Sequence, residues 1–251
     1  MIARLEPRGW RKPLSRLLDL LYPPVCALCS ENLTDGRSLC DACGDDLPRL
    51  TDPFCKSCGE PFEGEIDGEF ACPNCSRLKF AFEFARPATS KDNRTLELIH
   101  RLKYGRELHL ANDLGWLAAG AFADPRLEPA LREKWPLVPV PLHRKRFQHR
   151  HFNQAEEISR SLSRHIGLPL LRGLQRIRRT EHQTILTRAQ RMANLRGAFV
   201  VTGAGHQASA NTGGAILVDD VLTTGSTVHE CAKTLRGAGF ARVAVVTVMR
   251  G

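Results

Sequence analysis

The chain has 251 residues, of which 42% are hydrophobic and 25% charged, a composition typical of a globular protein with room for one sizeable α/β domain and a small module. Its formal net charge of +9 is unevenly distributed, because residues 26–75 carry 3 Lys+Arg against 11 Asp+Glu, whereas residues 142–196 carry 13 against 3. The longest apolar stretch near the start, residues 14–25, contains Arg16, Asp19 and two prolines, so it is too short to cross a bilayer and lacks the core of a signal peptide. We therefore expect a cytoplasmic protein without a membrane span.

A short amphipathic helix is predicted at the start of the chain, where Leu14, Leu17, Leu18 and Leu21 are spaced i, i+3, i+4 and i+7. Its apolar stripe is expected to pack on its own domain. Membrane contact is the alternative, and it is disfavoured because the helix has fewer than three turns. We assign residues 1–24 to this element.

Eight of the nine cysteines form four Cys-x-x-Cys pairs: Cys26/Cys29, Cys40/Cys43, Cys55/Cys58 and Cys72/Cys75. Two thiolates at this spacing can both reach one tetrahedral zinc at about 2.3 Å, so four pairs can fill two closed four-cysteine sites. Residues 25–78 are therefore predicted to form a double zinc ribbon with two structural Zn²⁺ ions. We favour sequential pairing, 26/29/40/43 and 55/58/72/75, although spacing alone leaves crossed pairing open.

The acidic charge of this module argues against nucleic-acid binding by the zinc ribbon, because its carboxylates would repel phosphates. It is expected to dock on the basic domain of its own chain or of a partner. If the protein binds DNA, we expect the basic residues 142–196 to make the contact, with a steep salt dependence.

Strand and helix patterns alternate after the cysteines and predict an α/β domain over residues 79–251, with a parallel sheet and helices on both faces. The predicted strands are 78–89, 135–142, 198–202, 215–218 and 242–249. The predicted helices are 93–105, 107–123, 143–165 and one after residue 225, and 203–214 reads as a polar loop. Residues 174–196 carry six arginines and few apolar anchors, and are expected to be mobile. The remaining cysteine, Cys231, lies on an apolar helix stripe and is expected to be buried, neither ligand nor nucleophile.

The clearest functional pattern is the strand at 215–218, followed by Asp219 and Asp220 and then by Thr223-Thr-Gly-Ser-Thr227 at the start of a helix. Free N–H groups and the positive end of the helix dipole bind phosphate at such a turn, and Gly225 allows close backbone approach. Two carboxylates nearby can accept hydrogen bonds from vicinal hydroxyls. Together these features predict a site for a ribose 5-phosphate.

The acidic pair and Val221-Leu-Thr-Thr-Gly-Ser-Thr227 resemble the phosphoribosyl pyrophosphate (PRPP) motif of type I phosphoribosyltransferases. The whole chain from about residue 20 to 250 resembles the ComF/GntX family. The matching motifs are the cysteine pairs, Leu102-Lys-Tyr-x-Arg106, Val138-Pro-Val-Pro-Leu142, Arg150-x-Phe-Asn-Gln-Ala155, and Thr180-x-x-Gln183 with Arg191 and Asn194. This resemblance implies a double zinc ribbon followed by a phosphoribosyltransferase-like domain.

The resemblance also implies roles for individual residues. Catalytic roles fall on Asp219, Asp220, Arg176 and Arg188, the two arginines lying in a loop that closes over the site. PRPP contacts fall on Asp219, Asp220, Thr223, Thr224, Gly225, Ser226, Thr227, Lys103, Arg146, Arg150, Asn153 and Gln154. Mg²⁺ is expected to accompany PRPP. One departure is His151, because the family usually has glycine between the corresponding arginine and phenylalanine.

Two functions remain open from the sequence. The first is a Mg²⁺-dependent phosphoribosyltransferase whose acceptor the sequence does not identify. The second is a non-catalytic protein that senses PRPP or a nucleotide, or binds single-stranded DNA. The family is associated with DNA uptake and transformation, so single-stranded DNA or DNA-uptake proteins are the expected partners besides PRPP.

Overall fold

The computed structural model describes residues 23–33, 37–62, 64, 71–73, 75, 78–178 and 188–251, without the side chains of Arg188 and Ala189. The helix expected at 13–21 lies outside these residues, and the assignment of 1–24 stays a prediction. The helices are α1 (Asp41–Asp45), α2 (Asn93–His100), a π-helix (Arg101–Gly105), α3 (Leu110–Ala119), α4 (Glu128–Arg132), α5 (Arg144–Arg150), α6 (Gln154–Ile166), α7 (Arg188–Leu195), α8 (Gly203–Ser209) and α9 (Ser226–Gly237), with 3₁₀ turns at Gly120–Ala123 and Pro125–Leu127. The strands are β1 (Ala85–Thr89), β2 (Leu137–Pro139), β3 (Leu174–Arg176), β4 (Phe199–Val201), β5 (Gly214–Leu222) and β6 (Arg242–Arg250).

The main sheet has four parallel strands in the order β1-β6-β5-β2. The central strands β5 and β6 pair along their whole length, from Gly214 opposite Arg242 to Leu222 opposite Arg250. Both are rich in β-branched residues and buried, as expected of strands covered on both faces. The predicted α/β fold with a parallel sheet is confirmed.

Helices cover both faces of this sheet. One core packs Leu98, Leu114 and Leu162 of α2, α3 and α6 against Ile216 and Val218 of β5. The other core packs residues of α9 against the opposite face of β5 and β6 and includes Val228, Cys231, Leu235, Leu217 and Val245. Cys231 is fully buried, as predicted. Among the described residues, no helix has the length and apolar character needed to cross a membrane.

Strand β4 corrects the predicted topology, because it does not join the parallel sheet. It pairs antiparallel with β3, with Arg176 opposite Phe199. Part of the stretch 174–196 that was expected to be mobile is therefore a strand, and part is helix α7, while residues 179–187 lie outside the described residues. The buried side chains of Leu174 and Leu195 anchor these parts to the second core.

Several predicted boundaries were wrong. Of the predicted strand 78–89, only β1 is a strand. Phe80 and Phe82 lie outside the sheet, where their rings stack with centroids 4.5 Å apart. Helix 107–123 is reduced to α3 and a 3₁₀ turn. Residues 203–209 of the predicted polar loop form α8, because Thr202 caps the helix by accepting a hydrogen bond from Gly205 N at 3.1 Å.

The helix predicted at 143–165 is two helices, α5 and α6. The chain turns at His151, whose φ is 68°, and Asn153 then caps α6 by accepting from Ala155 N at 3.1 Å. Gly167 ends α6 in the left-handed conformation, at the position that the sequence predicts.

The zinc module docks on the α/β domain of its own chain. Backbone hydrogen bonds join Ala85 N to Ser57 O at 3.0 Å and Leu50 N to Ala88 O at 2.9 Å. Arginines of the α/β domain then bind the module: Arg86 donates to Leu50 O at 2.8 Å, and Arg126 donates to Lys56 O at 2.6 Å. These arginines lie outside the basic residues 142–196, so this docking leaves helix α5 exposed.

Candidate functional site

The eight paired cysteines form two clusters in sequential order, Cys26/Cys29/Cys40/Cys43 (cluster 1) and Cys55/Cys58/Cys72/Cys75 (cluster 2). Within each cluster the sulfur atoms lie within 4.8 Å of one another. The predicted sequential pairing is confirmed, and each cluster offers four thiols, which no histidine or carboxylate of the described residues joins.

The geometry of both clusters fits tetrahedral zinc. Four sulfurs at about 2.3 Å from a central ion are separated by roughly 3.8 Å along each edge of the tetrahedron. The Cys29 and Cys40 sulfurs are 3.7 Å apart, and so are the Cys58 and Cys72 sulfurs. Backbone N–H groups point at the sulfurs, including Cys43 N to Cys40 Sγ and Cys72 N to Cys55 Sγ, both at 3.3 Å. The clusters are therefore suited to hold two zinc ions as thiolate complexes.

The predicted phosphate loop lies between β5 and α9. Gly225 precedes the first residue of α9 and has a φ of 75°, a conformation that favours glycine. A Cβ at this position would also lie 3.2 Å from Cε1 of Phe80, which packs beneath the loop. The hydroxyls of Thr224 and Ser226 are 3.0 Å apart at the helix start, beside N–H groups of the first turn that have no intrahelical acceptor. This arrangement can bind a phosphate.

The acidic pair lies inside β5 rather than after its end, because the ladder to β6 continues to Leu222. The two carboxylates have different surroundings. Asp220 is only 4% exposed and forms an ion pair with Lys103 Nζ, whereas Asp219 is half-buried and accepts a hydrogen bond from Asp220 N at 2.9 Å. The predicted strand 215–218 was therefore too short, and Asp220 is a buried residue within the sheet rather than the start of a loop.

These surroundings separate the pKa values of the two carboxyls. Burial, and next the negative charge of Asp220, raise the pKa of Asp219 well above its usual range. Burial also acts to raise the pKa of Asp220, but the charge of Lys103 and the hydrogen bonds with Asp219 and Lys103 together outweigh it, so the pKa of Asp220 is lowered. As pH falls, Asp219 is thus the member of the pair that takes up a proton first, and Asp220 is the member that stays ionised to lower pH.

Lys103 reaches the acidic pair from the π-helix that follows α2. π-Helical turns are rare and frequent at functional sites. Arg101 anchors this turn, because it binds Glu107 through two hydrogen bonds, at 2.9 and 2.7 Å. It also donates to Ala27 O, between Cys26 and Cys29 of cluster 1, at 2.5 Å. The position of Lys103 is therefore linked to cluster 1.

Arg146 and Arg176, from α5 and β3, approach the same end of the sheet. Burial lowers the pKa of Arg176, the charge of Arg146 lowers it further, and the carboxylate of Asp219 opposes both effects. Arg176 also stacks over Phe199, 5.5 Å from the ring centroid. Arg188 begins α7, and its side chain lies outside what the structure describes.

The predicted site residues at the end of α5 and the start of α6 make structural contacts with their neighbours. Arg150 lies over the Tyr104 ring, 4.9 Å from the centroid, and donates to Gln154 Oε1 at 3.0 Å. Asn153 is engaged at both ends of its side chain, because Nδ2 donates to Val140 O at 3.0 Å and Oδ1 caps α6. These contacts join α5 to the π-helix, while contact of these residues with PRPP stays a prediction.

His151 explains why glycine suits its position. The residue is exposed and adopts the left-handed conformation at the end of α5, where its N–H donates to Phe147 O at 2.6 Å. Glycine adopts this conformation without steric cost. A backbone requirement thus accounts for the glycine that the resemblance led us to expect here.

Comparisons with known proteins agree with this structure. The family model of the double zinc ribbon domain matches residues 17–77. DNA utilization protein YhgH of Escherichia coli (strain K12) is 30% identical, with 92% of this chain and 99% of the relative covered. Competence protein F of Haemophilus influenzae is 28% identical (88% and 94% covered), and Competence protein ComFC of Bacillus subtilis is 25% identical (92% and 96% covered).

The chain belongs to the ComF family. The resemblance stated from the sequence is confirmed, and so is the double zinc ribbon. In this ComF family chain, sequence reasoning missed Arg250, Glu60 and Arg101, which connect the zinc module to the site. Their contacts are distant in sequence, and each residue looks like an ordinary surface charge when it is considered alone.

Proposed function

We propose that this protein binds PRPP with Mg²⁺ at the carboxyl end of β5 and acts as a phosphoribosyltransferase, with pyrophosphate as the leaving group. The observation that carries the proposal is the position of a helix N-terminal phosphate loop directly after a pair of carboxylates on the same strand. The 5-phosphate would bind residues 223–227, and the ribose hydroxyls would donate to Asp219 and Asp220.

Cationic side chains support a pyrophosphate site next to the ribose. Lys103 pairs with Asp220, and the charges of Arg146 and Asp219 both act on Arg176. Fixed cations of this kind stabilise the negative charge that develops on a leaving pyrophosphate. In the transfer, the bond from the anomeric carbon to the pyrophosphate oxygen breaks and a bond from the acceptor forms, while closure of the site excludes water.

A magnesium ion would be held at this site mainly by the phosphate oxygens of PRPP. Mg²⁺ prefers oxygen donors and is usually held by one or two carboxylates together with substrate phosphates. Asp219 offers such a carboxylate, whereas Asp220 is already paired with Lys103. When bound with PRPP, the ion would neutralise pyrophosphate oxygens.

Calorimetric titration of PRPP with Mg²⁺ tests the proposal. The double variant Asp219→Ala/Asp220→Asn removes both charged acceptors while an amide remains beside Lys103, which limits damage to the fold. Each charge-assisted hydrogen bond contributes roughly 1.5–3 kcal/mol, so affinity is expected to fall by about two to four powers of ten. Glu83→Gln, which removes a carboxylate paired with Arg242 at the opposite end of the sheet, is the matched control.

Unchanged PRPP affinity in the folded double variant would contradict the proposal. Release of pyrophosphate in the presence of candidate acceptors then separates a transferase from a sensor. PRPP binding with no release of pyrophosphate from PRPP in the presence of any acceptor tested would support the sensor over the transferase.

We also propose a second candidate function, binding of single-stranded DNA by α5. The helix is exposed along nearly its whole length, carries Arg144, Lys145 and Arg146, and presents Phe147 with 47% of its surface exposed. A basic surface with an aromatic ring suits single-stranded nucleic acid, and the relatives are named for competence and DNA utilization.

Fluorescence anisotropy with a labelled oligo-dT tests this second function. Arg144→Glu/Lys145→Glu is expected to weaken binding at least about tenfold and to reduce the salt dependence by roughly two ions. Lys233→Glu/Arg236→Glu makes the same change of charge on exposed positions of α9 and controls for net charge. Equal weakening by both variants would show nonspecific attraction and contradict a role of α5.

A further inference from the structure

Arg250 ends strand β6 beside the opening of the phosphate loop, and it lies outside the PRPP motif. Its Nη1 donates to Leu222 O at 2.6 Å and to Thr223 O at 2.8 Å, which are the last residue of β5 and the first residue of the loop. The side chain is only 7% exposed. Gly251 N also donates to Leu222 O, at 2.9 Å. The guanidinium therefore fixes the two peptide groups from which the loop departs.

The other end of the guanidinium is held by the zinc module, because Nη2 of Arg250 forms an ion pair with the carboxylate of Glu60. The backbone of Glu60 ends the turn of residues 55–60 that carries Cys55 and Cys58, here called the knuckle of cluster 2. Its carbonyl accepts a hydrogen bond from Cys55 N at 2.8 Å. A Cβ on Gly59 would lie 2.3 Å from Cδ of Pro87, so this knuckle packs directly on β1. The place of the Glu60 carboxylate is thus set by cluster 2.

A cavity of about 370 Å³ separates the knuckle from the phosphate loop. Its lining includes Cys58 and Glu60 on one side, Thr223 and Thr224 on the other, and Phe80, Phe82 and Arg250 between them. The loop is therefore not supported on this side by continuous packing. Phe80, Phe82 and the guanidinium of Arg250 connect the two sides of this cavity.

We infer that Arg250 is a positioning residue for the phosphate loop, and that the Glu60–Arg250 pair makes the knuckle of cluster 2 part of the anion site. An arginine is required because one planar guanidinium donates to three carbonyls, those of Leu222, Thr223 and Gly251, and also pairs with a carboxylate, a geometry that a single ammonium does not reproduce. The inference rests on the proposed function for the identity of the anion, PRPP. The order of the phosphate loop can be measured by hydrogen exchange without PRPP.

The test uses the full-length, zinc-loaded protein and two readouts, hydrogen exchange of amides 222–228 and calorimetric titration of PRPP with Mg²⁺. Arg250→Met removes the donors while keeping the length of the side chain, and Arg250→Lys keeps the charge. Glu60→Gln removes only the anchor, whose side chain is 39% exposed, and is not expected to unfold the protein. The control is Arg242→Met, which breaks an exposed ion pair with Glu83 at the other end of β6.

Arg250→Met is expected to accelerate exchange in the loop and to weaken PRPP binding, each by roughly 10- to 100-fold, with a smaller effect in Glu60→Gln and partial rescue in Arg250→Lys. Arg242→Met is expected to change neither readout. Lower thermal stability with wild-type loop exchange and wild-type PRPP affinity in both Arg250→Met and Glu60→Gln would overturn the inference. If the wild type binds no PRPP but Arg250→Met still loosens the loop, the proposed function fails while the positioning role stands.

Discussion

The two sides of the site are supported differently. On the phosphate side, residues 223–227 rest on Phe80 and Arg250, and Arg250 leads to cluster 2. On the carboxylate side, Asp219 and Asp220 face Lys103 on a π-helix, which Arg101 connects to cluster 1. The phosphate side rests on the stacked rings of Phe80 and Phe82 and on hydrogen bonds from the buried Arg250, beside a cavity. The carboxylate side combines an unusual helical turn, a coupled pair of acids and the exposed helix α5.

The two zinc clusters also differ, in how deeply their cysteines are buried. All four cysteines of cluster 2 are buried, and they belong to the same core as Phe82, Leu222 and Val245. In cluster 1, Cys29 is exposed and Cys43 is only half-buried. Cluster 2 therefore lies on the phosphate side, whereas Cys26 and Cys40 of cluster 1 pack in the other core with Ile216 and Val218, and Arg101 donates to the Ala27 carbonyl beside them.

The largest effect that distinguishes the two sides is expected from the loss of one zinc site. Cys58→Ser and Cys40→Ser each replace a buried ligand, and each is expected to reduce bound zinc from two ions to one. Because the turn of cluster 2 places Glu60 next to the phosphate loop, Cys58→Ser is expected to destabilise the protein by several kcal/mol and to weaken PRPP binding at least about tenfold. Cys40→Ser is expected to disturb the zinc module while PRPP affinity changes less than about threefold.

Elemental analysis counts the zinc, and thermal unfolding with calorimetry measures the other two quantities. Wild-type protein with one zinc ion or none would contradict the double site. Equal losses of PRPP affinity in the two variants would show that the clusters do not differ in their link to the phosphate loop.

The sequence predicted the parts of this architecture that depend on local pattern. The apolar runs of β5 and β6, the Cys-x-x-Cys pairs and the Thr/Gly/Ser turn before α9 each carry their own signal within a few residues. Strand β4 was also predicted, within the strand 198–202, but β3 was not, because it has only three residues and contains Gln175 and Arg176 in place of an apolar run. The antiparallel pairing of β3 with β4 joins segments that are separated by helix α7, so no local pattern predicted it. Helix α8 was hidden by its Gly, Ala and Ser content, which also suits loops.

The electrostatics of the site could not be predicted in the same way. Asp219 and Asp220 look equivalent in the sequence, and only the fold brings Lys103 to Asp220. Arg250 likewise acquires its role because β6 ends beside β5, which places its guanidinium at Leu222 and Thr223. Such contacts join positions far apart in the chain, so no local period or spacing records them.

The second prediction concerns the pH dependence of stability on the carboxylate side. Asp219 has a raised pKa in the folded protein, so its contribution to stability is fully present below its unfolded pKa of about 3.9 and is lost as pH rises through the folded pKa. Asp219→Asn removes this loss and is expected to be more stable than wild type at pH 8, with the difference in the free energy of unfolding shrinking toward zero near pH 4.

Asp220→Asn provides the opposite case. The pKa of Asp220 is lowered, so its contribution is present above about pH 3.9 and is lost as pH falls through the folded pKa. This variant is expected to be less stable than wild type at pH 8, because Lys103 loses its charged partner. Urea unfolding between pH 4 and pH 8 measures both variants, and changes of the same sign in the two would contradict the separation of the pair.

The smallest expected effect concerns the backbone of α5 on the carboxylate side. A left-handed conformation costs a non-glycine residue roughly 1–2 kcal/mol, and glycine at 151 avoids this cost but adds entropy to the unfolded chain. His151→Gly is therefore expected to stabilise the protein by about 1 kcal/mol or less, which raises Tm by roughly 1–4 °C. His151→Ala is the matched control, since it removes the same imidazole without relieving the backbone, and its Tm is expected to stay at or below that of wild type. Because the side chain of His151 is exposed, neither change is expected to alter PRPP affinity more than about threefold. Stronger PRPP binding in the glycine variant alone would show instead that glycine serves close approach of the backbone to pyrophosphate, and weaker binding in both would assign the imidazole a direct contact.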